Sequence, residues 1–226
     1  MKFLEKFFYS LSRFHHKRII NYLNNFDIQT VIDVGAHKGE FLTYALNLKT
    51  VDTLYAFEPQ KKIFADLKNN FLKYKNISFI NQAVDNKISK KKIYINNLTM
   101  TSTMSDFNER SVYLKIKNFL AGTSRNYIEE YEVDTTSIDF YFKNINLKKS
   151  LLKIDVEGFE ANVIEGSRNK LNEVLFVIVE NQFGNHYKNR DFNSIKKSLT
   201  NSGFGICKKF NFPTMHYQDV LFKKNE

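Results

Sequence analysis

The sequence predicts a doubly wound α/β fold, and three observations carry that prediction. Short apolar runs alternate with stretches of helical period through the first third of the chain. A glycine-bearing turn, Asp33 to Gly39, follows the first of those runs. Two further strand-like runs close the chain, joined by a turn that contains Pro213.

The elements follow in order. Thr30 to Val34 reads as a short buried strand, Phe41 to Leu48 as helix and Thr53 to Phe57 as a second strand. Lys61 to Leu72 is a second helix and Ile77 to Ile80 a third strand. This βαβαβ order implies a parallel sheet with right-handed crossovers. From Gln82 to Tyr131 the pattern loosens into a Lys-rich strand around Lys92 to Asn96 and a polar stretch, Asn97 to Glu109. It reads as a hairpin plus a loop or lid inserted into the sheet order. Thr136 to Phe142 is then a helix, with Thr135 or Thr136 as its N-cap. Leu151 to Val156 is a strand, Glu160 to Ser167 a helix and Val174 to Val179 a strand. Phe192 to Asn201 is a helix ended by Gly203, and Gly205 to Phe210 with Tyr217 to Phe222 form a closing antiparallel pair. No linker divides the chain, so residues 27–226 read as one domain with an insertion at about 82–131.

Residues 1–26 form a separate helical segment. Its apolar positions recur at helical spacing, and Glu5, Lys6 and Arg13 deny it a signal-peptide core. Packing on the domain is preferred to lying on a membrane surface, and His15 and His16 are expected to face solvent.

Composition narrows the function. Apolar residues make up 42% of the 226, enough for a packed core, and with 22 Phe, 12 Tyr and no Trp the rings must fill much of it. The net charge of +10 would draw the chain to nucleic acid, an anionic membrane or an acidic substrate. No RNA-binding signature accompanies it, so the lysines read as a solubilising surface. Cys207 is the only cysteine, which excludes an intrachain disulfide and a Cys-rich zinc site and suits a reducing, cytoplasmic setting. No apolar run approaches the roughly 18 residues of a membrane span.

The chemistry concentrates at strand ends, where open α/β sheets bind ligands. Asp33 and Gly35 end the first strand, Gly39 opens the helix after it, and Glu58 ends the second strand, where it can accept hydrogen bonds from two ribose hydroxyls. The G-x-G-x-x-G fingerprint of dinucleotide binders is absent, with His37 near the position of its second glycine. A bulky residue there disfavours a pyrophosphate, and the Asp33 carboxylate would repel one but could bind an ammonium. On the fourth strand Lys153, Asp155 and Glu157 alternate, which places them on one face, and Gly158 breaks the strand. Three charges entering a buried strand are costly unless paired or functional.

Four segments resemble the FkbM family of methyltransferases: Val31 to Gly39, Ala56 to Pro59, Thr135 to Asp139 and, most specifically, Leu152 to Glu160. The resemblance covers roughly Thr30 to Glu180. It implies a Rossmann-like seven-stranded methyltransferase sheet, mostly parallel, with an antiparallel C-terminal hairpin. It also implies S-adenosylmethionine as cofactor, with contacts from Asp33, Gly35, Ala36, Gly39 and Glu58. Asn81-Gln82-Ala83-Val84-Asp85 resembles the family's segment after the third strand, implying adenine contacts near Ala83. The family often has Asn where this chain has His37, and Ser102 resembles a family serine near the active site. Members commonly methylate hydroxyls of sugars or secondary metabolites, so the resemblance implies O-methylation of a small-molecule or glycan acceptor.

Such a transfer needs the acceptor oxygen roughly 3 Å from the methyl carbon and a route for its proton. Asp155 or Glu157 could act as base or orient the acceptor, with Lys153 beside them. Alternatively Asp155 with Glu180 and Asn181 could hold Mg²⁺, although carboxylates at strand ends are common without metal. His186 and His216 lie in loops near these ends. A nucleic-acid methyltransferase is the rival reading, on charge. Amino-methylating enzymes often carry an Asn/Asp-Pro-Pro-Tyr/Phe motif where Asp155-Val156-Glu157-Gly158 stands here. Asp33, Glu58 and Asp155 together argue against a non-catalytic nucleotide-binding or membrane-associated module.

Overall fold

In the computed structural model the described residues are 2–95, 102–105, 129–183, 191–214 and 217–225, with side chains described from residue 11 onward. The parallel core forms where the apolar periods predict it. β1 (Thr30–Val34), β2 (Thr53–Phe57) and β3 (Ile77–Ile80) alternate with α2 (Glu40–Ala45) and α3 (Lys61–Asn70). β7 (Ser150–Ile154), α5 (Glu160–Glu165), β8 (Phe176–Gln182) and α6 (Phe192–Asn201) continue the pattern, before β9 (Phe204–Asn211) and β10 (Tyr217–Lys224). These strands make one seven-stranded sheet of order β3-β2-β1-β7-β8-β10-β9. β10 runs antiparallel to both its neighbours, and the other pairs are parallel. The strand order reverses between β1 and β7, so their carboxyl ends border the crevice where such sheets bind ligands.

Strand alternation sorts the side chains between two apolar layers. Ile32, Val34, Leu152 and Ile154 belong to one layer, Val31 and Leu151 to the other. The second layer also holds α2 and the end of α1 (Lys2–Leu23), whose Ile19, Ile20 and Leu23 are buried in it. By the same alternation Asp33, Lys153 and Asp155 point to this second face.

The inserted region differs from expectation. A hairpin does form, but β6 (Glu129–Thr136) pairs with β5 (Lys90–Ile95) across a long connection, and both join the two-residue β4 (Ala83–Val84) in a separate sheet of order β4-β6-β5. Its outer face is held by charge complementarity, with Lys92 Nζ 2.9 Å from Glu130 Oε1. Thr135 and Thr136 end this strand and do not cap a helix. Ser137 is the N-cap of the short α4 (Ile138–Tyr141), its Oγ accepting from the Phe140 N–H at 3.1 Å.

The expectation that His15 faces solvent is also overturned. His15 is fully buried, with Nε2 2.7 Å from Asp219 Oδ2 on β10. His16 is half-buried, its ring edge-on to Phe41 of α2. Among the described residues no helix is long and apolar enough to cross a membrane.

Candidate active site

The turn after β1 is shaped by left-handed backbone. Gly35 has φ 83°, and an added Cβ would sit 1.9 Å from the Asp155 carbonyl oxygen, so the β1 and β7 ends touch only because this residue is glycine. The N–H groups of Gly35 and Ala36 both donate to the Phe57 carbonyl, which draws the ends of β1 and β2 together. His37 (φ 48°) donates its backbone N–H to Glu58 Oε2 at 3.0 Å, and its ring Nδ1 lies 2.9 Å from Glu40 Oε1. Gly39 (φ 91°) faces α3, where a Cβ would meet the Phe71 ring at 2.1 Å.

Glu58 is the best-defined acid of the site. Its Oε1 accepts the Gln60 N–H at 2.8 Å, and the Asn81 side chain holds the turn behind it by donating to the carbonyls of Glu58 and Pro59. Only 3% of Glu58 is exposed, and that burial pushes its carboxyl up to about 7 against the hydrogen bonds that favour the anion.

Behind the β1–β7 contact lies a buried charge row. Lys153 Nζ is 3.3 Å from Asp33 Oδ1 and 3.2 Å from Asp155 Oδ2, over the Phe41 ring at 5.5 Å. Among the described residues the Lys153 ammonium is what compensates the enclosed Asp33 carboxylate. Burial pushes the Asp33 carboxyl up, and the lysine pulls it part of the way back. Burial alone would lower the Lys153 ammonium, but carboxylates on two sides, Asp155 first, hold it above its usual range.

The β7 end turns sharply through Glu157 (φ 53°) and Gly158 (φ 93°). A left-handed glutamate is strained and must be held. Thr103 Oγ1 donates to the Glu157 carbonyl and Ser105 Oγ to that of Gly158, both at 2.6 Å. Thr103 is itself bridged to Tyr94 of β5. Gln182 Nε2 donates to Glu157 Oε2 (2.9 Å) and Glu180 Oε1 (2.6 Å).

These parts line an open cleft at the carboxyl ends of β1, β2 and β7. Of the residues singled out in the sequence, Gly35, Glu58, Ala83, Ser102, Asp155 and Glu157 line it, together with His37. Asp33, Ala36 and Gly39 do not: Asp33 is enclosed against Lys153, Ala36 packs in the second apolar layer, and Gly39 packs on Phe71. Direct contact of Asp33 with a ligand ammonium, expected from sequence, is therefore not what this geometry offers. Lys153 stands behind Asp155. For a metal, the carboxylates brought together are Asp155, Glu157 and Glu180, with ligand oxygens within 4.8 Å of one another; Asn181, one step along β8, points to the other face. His186 and His216 lie outside the described residues. Sequence reading missed Gln60, Gln182, Thr103 and Ser105. For the hydroxyls the signal was a Ser/Thr cluster with no local turn or helix to cap.

The model of the methyltransferase FkbM domain matches residues 33–206, most of the chain. The chain belongs to the FkbM methyltransferase family. Comparison with curated proteins gives no match. The solved FkbM methyltransferase from Methylobacillus flagellatus superposes with a TM-score of 0.57 at 13% identity, over 87% of this chain and 44% of that one. This FkbM chain thus spans under half the length of that relative. The fold is also shared with magnesium protoporphyrin IX methyltransferase from Synechocystis, solved with bound S-adenosylmethionine (TM-score 0.50, 11% identity, 94% and 81% of the two chains). A third likeness is the fibrillarin pre-rRNA processing protein of Methanococcus jannaschii (TM-score 0.51, 13% identity, 88% and 67%).

Proposed function

We propose that this FkbM-family chain is an S-adenosylmethionine-dependent O-methyltransferase acting in the cytoplasm on a hydroxyl of a sugar or polysaccharide precursor. One observation carries the choice of donor. Among the described residues lining the cavity there are three carboxylates, Glu58, Asp155 and Glu157, and neither a lysine nor an arginine. Such a lining repels a dinucleotide's diphosphate and favours a ligand that carries a sulfonium and an ammonium. Glu58 suits the ribose hydroxyls as a carboxylate already aligned by two backbone N–H groups. Bound S-adenosylmethionine would supply an electrophilic methyl to an acceptor hydroxyl.

The chain's own residues have distinct tasks. Asp155 and Glu157 edge the cavity at the β7 end, where either can take or orient the acceptor's proton. Lys153 holds Asp155 in place through their 3.2 Å ion pair. The Thr103 and Ser105 hydroxyls hold the Glu157 turn from the insertion side. An acidic acceptor edge suits neutral, hydroxyl-rich substrates better than phosphate-bearing ones, so the lysine-rich surface is not taken as a nucleic-acid site.

Calorimetry of wild type with S-adenosylmethionine and with NAD tests the donor, with binding expected for the first alone. Glu58→Ala is the direct variant, because Asp33 lies behind the cavity and its loss would strand a buried lysine. Transfer of tritiated methyl to neutral oligosaccharides but not to ribosomal RNA is the expected acceptor result. Label in the RNA alone would overturn the acceptor class, and binding of NAD alone would overturn the donor.

A further inference from the structure

The family match spans residues 33–206, yet two segments outside it meet over the strand ends. His15 of α1 and Asp219 of β10 form a buried pair at 2.7 Å although 204 residues apart. His15 is closed in edge-on by the Phe212 and Tyr217 rings, and among the described residues its buried Nδ1 meets no hydrogen-bond partner. A buried histidine with one ring nitrogen left unsatisfied costs stability, so its place here calls for an explanation.

The pair adjoins the charge row through Asp219. Asp219 is the register partner of Glu180, and Glu180 follows Val179, the partner of Ile154, so Asp219 continues across the sheet the row that contains Asp155. Its charge adds to those of Asp155 and Asp33 in holding the Lys153 ammonium. His16 adjoins the row through a shared ring. Its ring packs edge-on to Phe41 at 5.8 Å and beside Tyr44, and the Lys153 ammonium lies over that same Phe41 ring. Burial, reinforced by the nearby Lys153 charge, pushes His16 down to about 4, so it covers the ammonium as a neutral ring at neutral pH.

We propose that the N-terminal helix is a working part of the catalytic centre: His15 and His16 are positioning residues that seal the Lys153 ammonium from water and thereby fix the Asp155 carboxylate at the cavity edge. The role rests on the methyl-transfer reading of that cavity. His15 does so by anchoring the helix to Asp219, His16 by capping the Phe41–Lys153 contact. Without them Lys153 would hydrate and release Asp155, and the acceptor edge would lose its fixed carboxylate. A displacement of about 1 Å at such a group costs on the order of a hundredfold in rate.

The test needs no acceptor. In the full chain labelled with lysine bearing ¹⁵N at Nζ, the Lys153 ammonium is expected to give a proton-protected signal, identified by its absence in Lys153→Met. His15→Leu and His16→Leu should speed its exchange with water at least about tenfold and shift the Asp155 side-chain carboxyl carbon signal. His15→Gln, whose Nε2 can replace the imidazole donor to Asp219, should keep the protection. Thermal melts identify any variant that does not fold, and if His15→Leu is one, His16→Leu and His15→Gln carry the comparison. Unchanged exchange in the folded leucine variants would overturn the positioning role. Wild type that binds no S-adenosylmethionine would instead overturn the functional reading beneath it.

Discussion

At neutral pH the Glu58 carboxyl stands near its midpoint, and this makes donor affinity a titration. Burial has raised it to about 7 from an ordinary value of 4.5, so the folded, ligand-free protein holds an extra proton between those limits. The sign is therefore that of a raised acid. Its contribution to stability is fully present below about pH 4.5 and is lost as pH rises toward 7. Affinity runs the other way. Two ribose hydroxyls need the anion as acceptor, so if only the ionised form binds, the Kd weakens about twofold at pH 7, about tenfold at pH 6 and about a hundredfold at pH 5. The assay is titration calorimetry with S-adenosylmethionine from pH 5 to 8.5, in two buffers of different ionisation enthalpy, for wild type and Glu58→Gln. The variant should bind at pH 8 with a loss of about 1.5–3 kcal/mol, the range for a charge-assisted hydrogen bond. The ligand's own titrations are common to both proteins and cancel in the difference. Parallel pH profiles for the two proteins, or no proton release near pH 7, would refute the assignment of Glu58 to the ribose.

The charge row gives a stability prediction. Lys153→Met strands the enclosed Asp33, and urea denaturation should show a loss of about 3–5 kcal/mol, with a loss under about 1 kcal/mol counting against the pairing. Thr103→Val removes the hydroxyl that holds the Glu157 carbonyl, costing about 1 kcal/mol in the denaturation midpoint and slowing transfer while the donor Kd holds. Dialysis against EDTA should leave transfer intact, because the Gln182 amide already bridges Glu157 and Glu180. Activity lost to EDTA and restored by Mg²⁺ would establish the metal instead.

How much could be read in advance follows from which forces act locally. β1, β2 and β3 were legible to the residue, because each is a short apolar-rich run between polar turns, and β1, at the sheet's centre, is buried along nearly its whole length. β6 was not, since Glu129-Glu130-Tyr131-Glu132 offers no apolar period and is held by lysines of a distant strand. At the site, Glu58 and Asp155 were legible from their strand ends. Gly39 was read as a ligand contact, whereas its left-handed backbone here serves close packing on Phe71, which sequence alone does not reveal. For Asp33, sequence does not reveal that Lys153, its register partner, stands against it. The burial of His15 did leave a trace: with Ile19 and Leu23 it repeats every four residues, which puts it on the helix's buried stripe.

The stitching of α1 to the last two strands also sets an order of events. His15 reaches Asp219, Tyr22 meets Cys207, and Arg18 donates to the Asn211 carbonyl. During synthesis α1 emerges long before any of these partners; its side toward α2 can pack early, but the side that meets the last two strands must wait until β9 and β10 have been made. Such far-separated contacts form slowly and leave the nascent chain open to aggregation. The covering of the methyl-transfer centre is thus among the last things the growing chain can accomplish, and a ribosome stalled before Asp219 would hold a protein with its family core complete and its charge row still unsealed.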